Sequence, residues 1–181
     1  MKRFELVAPA KTIALDPFDA GRANKREAKE MFSVDAANRP NYYKYLARLN
    51  FEAAKSADDY IGHWPGYEIA APPPVMTLCA HSIELSLKAF LLDQGIDEDT
   101  VRKLSHDLMA CWEMCEALGA DIKDLDKGVL AIVSDLLASG RLRYGEKSKL
   151  GKVPVFGPLT TLCDQCLDLC GAPKTTDIMN R

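Results

Sequence analysis

Between Leu78 and Leu108 the chain reads LCAHSIELSLKAFLLDQGIDEDTVRKLSHDL, and no other stretch limits the possible fold as much. Leu85, Phe90, Leu91 and Leu92 fall in one helix that also carries Glu84 and Lys88 a single turn apart. Gly95 stops that helix, and Ser105-His106-Asp107-Leu108 opens another, with Ser105 as the expected N-cap and Asp107 favouring the positive end of the helix dipole. At the other end stands Pro72-Pro73-Pro74, a run that cannot sit inside a helix, although Pro74 fits a first turn. A helix from there to about Gln94, rich in Leu, Ile, Phe, Cys and Ala, is expected at the centre of the molecule, buried on more than one side.

The flanking sequence supplies partners for it. Residues 1–40 read as an arm broken by Pro9, Pro17 and Pro40, with one short helix near Arg26 to Phe32. From Asn41, a plausible N-cap, to Gly62 the pattern turns helical and places Tyr42, Tyr45, Leu46, Leu49, Ala53 and Tyr60 on one face. Asp97 to Leu104 suits a short helical turn, and the helix opened by Ser105 runs to Leu118 before Gly119. Another spans Asp124 to Ser139, ended by Gly140, with Val129, Ile132, Val133, Leu136 and Leu137 at core spacing. A basic loop covers 141–157, a last helix Pro158 to Cys170, and 172–181 form a polar tail without a packing pattern. Five main helices and no credible strand predict an all-α, up-down bundle over residues 41–171. At 181 residues and 48% hydrophobic content, one domain has enough apolar material for a core.

The opening MKRFELVAPAKTIAL is interrupted by Glu5 and Lys11, so it lacks the apolar centre of a secretory signal. No charge-free apolar run approaches the ~18 residues a membrane-spanning helix needs. The expectation is a cytoplasmic protein with reduced thiols. Cys163, Cys166 and Cys170, with Leu159, Leu162 and Leu169 around them, occupy one helix face, and Cys111 and Cys115 repeat the arrangement. Such spacing invites a metal, but free cysteine behaves as a small buried hydrophobe and zinc knuckles pair up from loops. Packing is the preferred reading, with no metal and no cofactor.

Among the three histidines, His63 has no evident partner, and His81 is expected as a hydrogen-bonded ring lining the bundle. His106 has the strongest case for chemistry, although local capping with a satisfied ring explains it too. Glu84 and Lys88 need a reason to sit in an apolar helix, since burying either alone is costly. Either they form a solvated stripe with Lys88 snorkelling outward, or Glu84 anchors an internal polar network reaching His81 or a later arginine. The second is favoured. The segment Arg141 to Lys152 carries Arg141, Arg143, Lys147, Lys149 and Lys152 against Glu146 alone, net +4 in a chain of −3. It reads either as a solvated loop or as a phosphate-binding surface, with Tyr144 beside Arg143 as a stacking face.

The Glu84–Lys88 helix, the Ser105-His106-Asp107-Leu108 helix start and the Arg143-Tyr144 step together resemble HEPN domains, helical bundles of prokaryotic defence and toxin–antitoxin proteins. The resemblance is best between about Asn41 and Leu169, and it implies a bundle that pairs through a two-fold interface. Many HEPN proteins are metal-independent ribonucleases that use an arginine followed a few residues later by a histidine. Here the nearest approach is Arg102 to His106, with three residues between them and ahead of the helix where that motif belongs. No histidine follows Arg141 or Arg143. The expectation is therefore a non-catalytic binding module, a homodimer taking RNA or a nucleotide on Arg141, Arg143, Tyr144, Lys147 and Lys149, supported by His106 and Glu84. The alternatives are a divergent ribonuclease toxin using His106 with an arginine of the basic segment, and a structural partner of a separately encoded nucleotidyltransferase.

Overall fold

The computed structural model describes residues 38–144 and 151–179. The helices there are α1 (Arg39–Ile61), α2 (Pro73–Asp93), α3 (Glu98–Lys103), α4 (Leu108–Ala117), α5 (Lys127–Ala138), α6 (Arg141–Tyr144), α7 (Phe156–Leu169) and α8 (Thr175–Met179). Among the described residues there is no strand, only an isolated antiparallel bridge between Ala70 and Val155, so the fold is all-α.

Helix α2 is the axis of the described bundle, and α1, α3, α4, α5, α6 and α7 all pack against it. Its start uses the proline run more fully than expected: Pro72 is the N-cap, and both Pro73 and Pro74 sit in the first turn, where a missing N–H costs nothing. Its end is set by Gly95 at φ +84, which lets Ile96 N–H donate to Leu91 O at 3.1 Å and Gly95 N–H to Leu92 O at 3.0 Å. Between these ends Val75, Met76, Cys79, Ile83, Leu87 and Leu91 are buried, and so are Glu84 and Lys88. By length and composition α2 is apolar enough to cross a membrane despite Glu84 and Lys88, and 67% of its most apolar window is buried within the bundle.

Helix α1 differs from expectation in both register and orientation. It begins at Arg39 with Asn38 at the N-cap, so Asn41 lies inside the helix and Pro40 in its first turn. The face it buries carries Ala47, Arg48, Phe51 and Ala54, whereas Tyr42, Tyr45, Leu49 and Tyr60 are exposed. Small alanines allow close approach to α2, and tyrosine, with its polar tip, tolerates the outer side. Buried Arg48 is satisfied by the C-terminal segment: its Nε donates to Pro173 O at 3.0 Å, while Thr175 Oγ1 donates to Glu52 Oε1 at 2.6 Å. The tail expected to lack packing is thus tied to α1, and part of it is helical.

All six cysteines are free and buried. Cys163 Sγ donates to Cys79 O and Cys115 Sγ to Leu87 O, each at 3.7 Å, so these thiols join α7 and α4 to the backbone of α2. Burial pushes the Cys111 and Cys115 thiols up to about 12, which keeps them protonated.

The entry to α4 also departs from expectation. Asp107, not Ser105, is the N-cap, and its Oδ1 accepts from Ala110 N–H at 3.0 Å. Leu108 N–H donates to Ser134 Oγ on α5 at 3.1 Å. Ser105 instead adopts φ +49, a left-handed conformation rare outside glycine, and turns the chain between α3 and α4. Asp107→Ala is expected to destabilise the protein by about 0.5–2 kcal/mol. Ser105→Gly should leave stability unchanged or raise it by up to about 1 kcal/mol, because glycine accepts that φ without strain. Urea unfolding midpoints of the two variants check the assignment.

Candidate functional site

A carboxylate inside an apolar helix is stable only with several partners, and Glu84 has them. Its side chain retains 8% of its exposure and that of Lys88 10%. Lys88 Nζ donates to Glu84 Oε1 at 2.7 Å and to the Ser105 carbonyl at 2.5 Å. The second carboxylate oxygen faces two imidazoles: His106 Nδ1 lies 3.0 Å from Oε2 and His81 Nδ1 3.7 Å from it. The two rings stand edge to face with centroids 6.3 Å apart. Burial alone would raise the Glu84 pKa, but the close approach of His81, the hydrogen bonds with Lys88 and His106 and the charge of Lys88 outweigh it and hold the carboxyl down at about 2.

The local sequence explains the geometry. His81, Glu84 and Lys88 are three and four residues apart, so they share one side of α2. His106 arrives from the far side of the α3–α4 turn, where the left-handed Ser105 aims its carbonyl at Lys88 and Asp107 starts the next helix. The carboxylate and ammonium are sealed inside, whereas the His81 and His106 side chains keep 36% and 43% of their exposure. The cluster is buried at its charged root and open at its imidazoles.

Of the residues singled out from sequence, Glu84 and His106 are brought together, and Glu84 reaches two histidines rather than an arginine. Lys88 and His81, which the internal-network reading set beside Glu84, complete the cluster. Arg102, the arginine nearest His106 in sequence, is paired with Glu98 at 2.9 Å. Arg141 lies in α6, not in a loop, ion-paired with Asp135 and donating from Nε to Ser139 Oγ at 2.8 Å. Arg143 and Tyr144 belong to α6 by their backbone, and their side chains, like Lys147 and Lys149, lie outside the described residues. Separately, a cleft of about 330 Å³ opens between α1, α7 and the C-terminal segment. Of its charges, Arg48, Glu52, Lys55 and Asp164 are engaged in ion pairs.

No protein-family profile, curated protein or solved structure matches this chain.

Removing one partner of the buried pair leaves the other charge uncompensated, so Lys88→Met is expected to cost about 3–5 kcal/mol. The depressed Glu84 pKa adds stability above the ordinary carboxylate range, and that stability is lost as pH falls from about 4.5 towards about 2. Urea unfolding at neutral pH and near pH 3 should show an acid loss on the order of 2 kcal/mol greater for wild type than for Glu84→Gln.

Proposed function

We propose that this chain is a HEPN-like up-down bundle acting as a cytoplasmic binding module for RNA or nucleotides, as a homodimer, in a defence or toxin–antitoxin setting. The observation that carries the proposal is the Glu84 cluster, which holds two half-exposed imidazoles at the surface by a buried ion pair. An ion pair serving the core alone has no need to present them. The basic stretch Arg141 to Lys152 supports a phosphate-bearing ligand, since its local sign opposes that of the whole chain. The exposed stripe Tyr42, Tyr45 and Leu49 supports a second copy, because such a face gains by being covered.

Ribonuclease activity is the second reading, and the nearness of His81 to His106 favours it, because metal-free cleavage needs groups that move protons. It also needs a cation on the phosphate in the transition state, and Lys88, the ammonium at this cluster, is spent on Glu84 and Ser105. Binding without cleavage therefore stays ahead.

Titration of short RNA and of nucleotides at two salt concentrations tests the proposal. Each lysine or arginine touching a single-stranded phosphate adds about 0.7 to the salt slope. Arg143→Ala should weaken binding across sequences, and Tyr144→Ala should cost about 1–3 kcal/mol per stacked base. Equal binding by all three proteins, or none at low salt, would remove the RNA reading and favour an acidic protein partner such as a nucleotidyltransferase. Cleavage of RNA that disappears in His106→Ala would replace binding with catalysis.

A monomer mass by light scattering at micromolar concentration would contradict the homodimer. A dimer should bury more than ~1,000 Å² in its interface and lose affinity when Tyr42 and Tyr45 are changed to lysine.

A further inference from the structure

Helix α1 ends against the usual rule for helix charge. Its last turn carries Asp58 and Asp59 and no basic residue, so two carboxylates stand at the negative end of the dipole of a 23-residue helix. The Asp58 carboxylate lies against Gly62, and burial together with the like charge of Asp59 raises its pKa, with His63 opposing. A third carboxylate follows at Glu68, which folds back to accept Gly66 N–H at 3.0 and 3.1 Å. Among the described residues no lysine or arginine pairs with any of the three. Between them in sequence stand two rings that the bundle leaves uncovered. Tyr60 and Trp64 are 72% and 51% exposed and meet edge to face with centroids 6.0 Å apart. Ile69, 74% exposed, adds a third large apolar side chain one residue past Glu68. We infer that this turn is a docking surface for an arginine-bearing segment of a partner protein, with the guanidinium stacked on Trp64 and paired with the carboxylates around it.

Charge and shape select that occupant. Sequences that break a local rule without internal compensation do so at functional sites, and two uncompensated carboxylates at a helix C-terminus gain from a cation supplied from outside. Aromatic faces attract cations through their quadrupole, tryptophan most strongly, and guanidinium also pairs with carboxylates through a planar fork of donors. An ammonium offers neither the stacking plane nor the fork. The three carboxylates are not gathered for a metal ion, since no group of His, Cys, Asp and Glu among the described residues could hold one. A small organic cation needs a concave pocket that buries most of its surface, whereas these side chains stand open and suit a chain segment laid across them. RNA offers bases to stack on Trp64, but its phosphates would meet Asp58, Asp59 and Glu68. A second copy meeting the turn about a two-fold axis would set the same carboxylates against each other. The surface shares no residue with the Glu84 cluster or the basic stretch, so it goes beyond RNA or nucleotide binding and does not depend on it.

Trp64 supplies its own readout. The chain has two tryptophans and the other, Trp112, is buried, so an emission change on binding at the surface belongs to Trp64. The probe is a capped peptide of alternating arginine and glycine, titrated into the full chain at low salt, with an alternating lysine and glycine peptide beside it. The arginine peptide should change the emission saturably, and the lysine peptide should bind about threefold or more weaker. Binding of the labelled arginine peptide, read by anisotropy, should fall about three- to fivefold in Trp64→Leu and about tenfold in the double variant Asp58→Asn, Asp59→Asn. The same double variant should keep or raise the urea unfolding midpoint, because it removes negative charge from a helix C-terminus. No saturable emission change, or equal binding by the double variant, overturns the inference. So does a lower midpoint for the double variant, which would make the carboxylates structural. If the peptide fails and Trp64→Leu dissociates a dimer in light scattering, the turn belongs to a second copy and the inference falls. It falls too if short RNA changes Trp64 emission where the arginine peptide does not. If the arginine peptide fails while RNA binding stays sensitive to Arg143→Ala, the docking surface is wrong and the proposed function stands. If the peptide docks at Trp64 but RNA and nucleotides do not bind, the docking surface stands and the proposed function falls.

Discussion

Helix α2 must be apolar to serve six neighbours at once, yet it carries a carboxylate and an ammonium through its middle. Each charge alone would cost several kcal/mol to bury, and the two are tolerated because they face each other at 2.7 Å and spend their remaining capacity on named partners. Lys88 uses another proton on the carbonyl of Ser105. That bond links the centre of the bundle to the α3–α4 turn, and with it the position of His106 and the start of α4. Core packing and surface chemistry are therefore coupled at one ion pair. A buried pair of this kind adds little net stability over a well-packed apolar pair, but it specifies which residues stand beside it.

Much of this architecture is legible in the sequence because local rules dominate it. Gly95 and Gly119 end α2 and α4 through the left-handed cap geometry that glycine supplies, and the proline run marks where α2 begins. The apolar density of α2 marks it as the central helix, and the presence of Glu84 and Lys88 within that density is itself the signal of an internal network. The spacing of His81 to Glu84 was visible too, since residues three apart share a helix face.

The remainder depends on tertiary context. His106 stands 22 residues from Glu84, and only the left-handed turn at Ser105 brings it back to α2. Asp107 and Ser105 are both acceptable N-caps by composition, and the choice between them follows from which one is needed for the turn. In α1 the tyrosines offer more apolar area than the alanines, but close packing against α2 selects the small residues and Phe51. Burial of Arg48 then follows, because Glu52, one turn on in α1, and Asp164 and Pro173, both distant in sequence, converge on its guanidinium. The basic segment keeps its charge pattern but not its loop character at the start, where α6 continues the helical path after Gly140 and Asp135 engages Arg141.

The claim on which the rest of the account depends is that Glu84 is an ionised, multiply bonded carboxylate at the root of the histidine pair. It can be read directly from the Glu84 side-chain carboxyl carbon in a carbon-detected NMR titration of the folded protein. The account predicts no titration step for that carbon from neutral pH down to about pH 3, with the ionised form persisting towards about 2. A step in the ordinary glutamate range, near about 4.3, would show that Lys88, His106 and His81 do not hold the carboxylate ionised, and would contradict the account.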